Sequence, residues 1–169
     1  MSKALVIVDV QVGMFFGPWA LPDAANLLHR IGNRILAARQ EGQLVVHIQN
    51  DGPEDELDAP GEPMWELVFA PRESELVVRK TQQNVFASAP ELEDQLKSLG
   101  IRELEFIGVQ SELCLLASAT GASVLGFVVQ TARDLHGTFD GGYPGATSGP
   151  SATELSDQVQ AQIEALAAK

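Results

Sequence analysis

Five short apolar runs rich in β-branched residues, separated by segments of helical periodicity, constrain this chain more than any other feature. They span residues 4–10 (ALVIVDV), 44–49 (LVVHIQ), 76–79 (LVVR), 104–109 (LEFIGV) and 127–131 (FVVQT). Runs this short and this continuously apolar suit strands covered on both faces, as in a buried parallel sheet. Leu27, Ile31, Ile35 and Ala38 between them form one helical stripe, and Leu92, Leu96 and Leu99 form another. Strand alternating with helix predicts an α/β fold, a three-layer αβα domain around a parallel sheet of five or six strands. Crossovers are then right-handed and Rossmann-like, and ligands lie beyond the carboxyl ends of the strands.

Local signals place the remaining elements. Ser88-Ala89-Pro90-Glu91 reads as a capping box opening the second helix, with Gly100 as its stop. Residues 113–125 are apolar on nearly every side, which predicts a helix packed deep in the domain and ended by Gly126. The last helix opens at Ser151-Ala152-Thr153-Glu154 and carries Leu155, Val159, Ile163 and Leu166 on one face. Two long loops interrupt the regularity. Residues 50–75 are acidic and Pro/Gly-rich and contain Trp65 and Phe69; residues 132–150 are Gly-rich and contain Phe139 and Tyr143. Loops of this length in a compact domain are commonly functional.

At 169 residues the chain suits a single domain, 1–169, with a full core. Its 23 acidic residues against 11 basic ones, net charge −12, and its lack of a Lys/Arg cluster argue against nucleic acid and anionic membranes as partners. No apolar run approaches the roughly 20 residues of a membrane span, and Met1-Ser2-Lys3 leads straight into the first strand, so the expected location is cytoplasmic. Cys114, the one cysteine, excludes an internal disulfide.

Cys114 stands in the turn between the fourth strand and the following helix. A helix start offers free N–H groups and the positive end of the macrodipole, which favour a thiolate and can hold an oxyanion. Alone, such a cysteine is more simply a small buried hydrophobe. Asp9 after the first strand and Lys80 after the third change that balance, because parallel topology brings these strand ends to one edge of the sheet. A carboxylate within reach could take the thiol proton, and an ammonium nearby would stabilise the thiolate and keep Asp9 ionised. That is the base, nucleophile and electrostatic partner of acyl transfer.

The segments ALVIVDVQ, DAPGEPMWEL, RKTQQNVFASAPEL, GVQSELCLLAS and ARDLHGTFD, in this order and spacing, resemble the isochorismatase-like cysteine hydrolases, a family that includes nicotinamidases and other small-amide amidohydrolases. The resemblance implies a six-stranded parallel sheet between helices and a catalytic triad of Asp9, Lys80 and Cys114. It also implies a non-proline cis peptide at Val109–Gln110 and an oxyanion hole formed by the N–H groups of Gln110 and Cys114. The implied activity is hydrolysis of a C–N amide bond in a small molecule through a thioester. Within the family, isochorismate-like vinyl ether cleavage and a non-catalytic ligand-binding or assembly scaffold are the alternatives. The family's usual assembly as homo-oligomers implies the same here.

Departures from the family pattern narrow this. Nicotinamidases hold a metal through an Asp-x-His pair and further histidines after the second strand, where this chain reads His47-Ile48-Gln49-Asn50-Asp51-Gly52. With His29, His47 and His136 as its only histidines, a nicotinamidase-type metal, and with it nicotinamide, is not expected; no cofactor is. The family commonly adds a last strand after the helix that begins near Ser151, and the sequence stops there. A missing sixth strand would leave an edge for a partner subunit. Gln11, Phe16, Trp65, Phe139 and Tyr143 are the candidates for substrate contact, the loop aromatics being equally readable as core anchors. His136 could tie down its loop or meet substrate, and His47 reads as a satisfied core histidine.

Overall fold

The computed structural model describes residues 2–167. In chain order the elements are β1 Lys3–Val8, α1 Val12–Phe15, α2 Ala24–Gln40, β2 Leu44–Asn50, β3 Leu76–Lys80, α3 Val85–Ser88, α4 Glu91–Ser98, β4 Glu103–Val109, α5 Leu116–Val124, β5 Val128–Gln130, β6 His136–Gly137 and α6 Ala152–Ala167. The sheet is parallel throughout, in the order β3-β2-β1-β4-β5, with β6 pairing β4 beyond the end of β5. The sixth strand is thus the two-residue β6, formed before the last helix. None follows α6 among the described residues.

Side-chain alternation along β1 separates the two apolar layers. Ala4, Val6 and Val8 face Leu92 and Leu96 of α4, Ala119 and Ala122 of α5, and Val159 and Ile163 of α6. Leu5 and Ile7 face Leu27, Ile31, Ile35 and Ala38 of α2. Burying four such helical positions removes enough apolar surface to contribute several kcal/mol, about 1.5–3 per large side chain. Glu105, which points from β4 toward α2, is ionised in this setting because Arg34 meets it in a two-pronged bond (2.9 and 2.8 Å) and Lys3 approaches at 3.0 Å. No helix among the described residues is long and apolar enough to cross a membrane.

Three local expectations are corrected. Leu99 is half exposed, since the Leu92–Leu96 stripe already covers the sheet and α4 ends at Ser98. Ser88 does not cap α4; its hydroxyl accepts the Thr81 and Gln82 N–H groups, so it tightens the turn after β3 instead. β3 and β5 lie at the two edges of the sheet and are not covered on both faces, leaving Val77 and Val128 about half exposed. The capping box at Ser151 does form: its hydroxyl accepts the Glu154 N–H, and the Glu154 carboxylate accepts the Ser151 N–H.

Candidate active site

Asp9 follows directly on β1, which ends two residues before the end of the apolar run because Asp9 adopts a left-handed conformation (φ 51°). Lys80 is the last residue of β3, and Cys114 lies in a π-helical turn, Ser111–Leu115, that joins β4 to α5. The Gln110 carbonyl accepts the N–H groups of Leu113 and Leu115, which folds the turn tightly, and the Val109–Gln110 peptide is cis. Behind the turn, Ser111 Oγ bonds Nδ1 of buried His136 (2.8 Å) and Ser156 of α6 (3.1 Å). The start of α5 is fixed on its other side by Ser118, whose hydroxyl accepts the Val85 N–H and donates to the Gln83 carbonyl.

The three groups meet. Lys80 Nζ lies 2.9 Å from Asp9 Oδ2, 3.2 Å from Cys114 Sγ and 2.8 Å from Asn50 Oδ1 on the strand between. The Lys80 side chain is wholly buried; Asp9 is 7% exposed, and its Oδ1 has no hydrogen-bond partner. Burial pushes the Asp9 carboxyl above the usual carboxylate range against the pull of Lys80. The Cys114 thiol is pushed up to about 12 by burial and by the negative charge of Asp9, with Lys80 opposing. At rest Cys114 is therefore a neutral thiol beside the Asp9 carboxyl group.

A cavity of about 510 Å³ opens over this cluster, lined by Asp9, Gln11, Gln110 and Cys114 on the sheet side. Its outer wall consists of Met14, Trp19, Glu56, Leu57, Asp58, Met64 and Pro144. The first long loop is laced to the segment after Asp9 by Val12 N–H to Glu66 O, Gly13 N–H to Met64 O and Val68 N–H to Val10 O, which sets Met64 against Gly13. The second is tied down by the Gln110 amide, which donates to Thr138 Oγ1 and the Gly142 carbonyl and leaves Pro144 at the rim.

Of the residues expected at the wall, only Gln11 lines the cavity. It does so as a brace, not as a free group: its amide donates to the Asn50 and Trp65 carbonyls and accepts the Asn50 N–H. Trp65 is turned away, donating to Asp51 with its ring under Arg79. Phe139 is buried in the core layer beneath α2, while Phe16 and Tyr143 are exposed outside the cavity. Trp19, Met14, Leu57, Met64 and Pro144 were not anticipated; the signal for Trp19 was its place in the Phe15–Trp19 segment leaving the carboxyl end of β1.

His47 is buried against Glu75 (2.9 Å), and Asp51 is taken by Arg79 and Trp65. Neither is free for a metal ion, and no cluster of three His, Cys, Asp or Glu with the geometry of a metal site exists among the described residues.

Residues 3–148 match the isochorismatase domain. The chain belongs to the isochorismatase family. It is 41% identical to a streptothricin hydrolase of Streptomyces noursei, over 99% of its own length and 64% of that protein's, so it spans less than two thirds of this relative. A ureidoacrylate amidohydrolase of Variovorax paradoxus (strain S110) is 27% identical over 68% of this chain and 60% of its own. In fold the chain superposes on an isochorismatase from Pseudomonas putida KT2440 with a TM-score of 0.85 at 23% identity, covering 96% of this chain and 83% of the other. The pyrazinamidase of Pyrococcus horikoshii, solved in complex with zinc, gives 0.80 at 19% identity over 99% and 97% of the two chains.

Proposed function

We propose that this chain is a cysteine hydrolase that cleaves a C–N amide bond of a small molecule, with Asp9, Lys80 and Cys114 as its triad. One observation carries the reading: a single buried ammonium touches both a carboxylate and the only thiol, at the floor of an open cavity. The hydrolase and amidohydrolase names of its relatives support it.

In this mechanism Asp9 takes the Cys114 proton as the sulfur attacks the carbonyl carbon. Lys80 stabilises the thiolate character that develops, and the Gln110 and Cys114 N–H groups receive the oxyanion. Asp9 then gives its proton to the departing nitrogen. Water, deprotonated by the same carboxylate, attacks the thioester, and the acid leaves as Cys114 recovers its proton. Streptothricin is the first compound to test because of the 41% identity to its named hydrolase. Turnover by the wild-type chain, and its loss in both Cys114→Ala and Asp9→Asn, is the expected result. Turnover of an isochorismate-like vinyl ether that survives Cys114→Ala but not Asp9→Asn would instead indicate vinyl ether cleavage, which needs the acid without the thiol.

A further inference from the structure

The charge of the cavity lining is one-sided. Its ionisable residues are Asp9, Glu56, Asp58 and Cys114, and neither Lys nor Arg is among them. Asp9 is compensated by Lys80, which lies behind it at 2.9 Å, and Cys114 rests as the neutral thiol. That leaves Glu56 and Asp58, neither of which is in an ion pair among the described residues. Asp58 is half-buried with a single neutral donor, Asn50 Nδ2, at 3.3 Å, and its charge reaches the floor of the site, where it helps raise Asp9. At the floor of the same cavity the buried Asp9 Oδ1 has no hydrogen-bond partner among the described residues. Trp19, about half exposed, belongs to the same lining, and an indole ring face attracts cations.

Resting on the amide-hydrolase reading of this site, we propose that the cavity selects substrates bearing a positive charge beside the scissile amide, received by the carboxylates of Glu56 and Asp58 and flanked by Trp19. An apolar concavity with carboxylates that have no cation of their own among the described residues favours such a group by direct Coulomb attraction, stronger at half-buried Asp58 than at exposed Glu56. The same charges disfavour an anionic substrate, so the lining sets specificity by repulsion as well as by attraction.

The lone cysteine allows a test that does not depend on knowing the substrate. Cys114 is treated with three methanethiosulfonates of similar size: a trimethylammonioethyl, a neutral 3,3-dimethylbutyl and a sulfonatoethyl reagent. In each case the sulfur attacks the thiosulfonate sulfur, a mixed disulfide forms and methanesulfinate leaves. Rates are divided by those of a small free thiol to remove intrinsic reactivity. The expected result is a cation-over-anion preference of roughly tenfold or more, falling to about two- to threefold in Glu56→Gln/Asp58→Asn and collapsing at about 1 M salt. Because Asp58 helps shape its loop, Glu56→Gln alone is measured as well and should show part of the loss. A wild-type ratio near one, a ratio insensitive to both salt and substitution, or no reaction with any reagent in the folded protein would overturn the proposal. A cation preference together with loss of the amide-hydrolase reading would show that the cavity's selectivity stands without the chemistry assigned to it.

Discussion

Lys80 and Asp9 form an ion pair across a strand to which neither belongs. Lys80 ends β3, Asp9 follows β1, and β2 lies between them, yet their charged atoms are 2.9 Å apart. The lysine crosses the end of β2 over Asn50, its partner in the strand register, and bonds that side chain on the way. The parallel sheet thus turns three separate strand ends into one site.

Lys80→Met should therefore damage both stability and activity. Removing one member of a buried pair costs roughly 3–5 kcal/mol, here because Asp9 is left without its cation. The Asp9 pKa, already raised by burial, should rise further, and the acid limb of the activity profile should move to higher pH. Urea denaturation and a pH–rate profile check the two effects. Asp9→Asn/Lys80→Met should recover much of the stability and none of the activity.

Asp9→Asn should separate thiol reactivity from catalysis. The carboxylate is one of the groups holding the thiol near 12, after burial, and Lys80 opposes it. With Asp9 neutral, the thiolate fraction should rise and alkylation of Cys114 by iodoacetamide near pH 7 should quicken several-fold. Amide turnover should still fall by a factor of at least about a hundred, since the general acid–base is gone. Slower alkylation in this variant would show that Asp9 does not oppose thiol ionisation.

Gly108→Ala should be among the most damaging single changes. An added Cβ would lie 2.2 Å from the Val8 carbonyl oxygen of the neighbouring strand, at a backbone φ of +115° that side chains rarely accept. Backbone, not a flexible side chain, is in the way, so a loss on the order of 4 kcal/mol or failure to fold is expected. Thermal unfolding by circular dichroism measures it.

His136 should make the fold acid-sensitive. It is buried between Ser111 and Gln160, and burial holds its pKa down at about 4 against the ordinary 6.5. A base depressed on folding contributes stability that is complete above pH 6.5 and is lost as pH falls from 6.5 through 4, because the unfolded chain binds the extra proton first. The full loss is on the order of 3 kcal/mol. Stability curves between pH 4 and 7 should flatten in His136→Gln.

The sheet, the helical stripes and the three groups at its edge were legible in the sequence because each has a local signal: β-branched runs, apolar residues at helical spacing, polar residues closing apolar strands. The wall of the cavity was not. Whether Trp65 or Trp19 faces substrate depends on how 50–75 is laced to the segment after Asp9, a long-range pairing of loop backbones with no periodicity to read. Likewise β6 is two residues long and exists only because β4 outruns β5. Leu99 failed for the opposite reason: its spacing continues a real stripe past the point where the helix ends.

The most direct test of the central claim is intact-protein mass spectrometry of acid-quenched reactions during turnover of streptothricin, or of whichever small amide the wild-type chain hydrolyses. An acyl adduct on Cys114, together with no turnover in Cys114→Ala, is the predicted result. Full activity in Cys114→Ala, with no adduct on the wild-type protein, would contradict it.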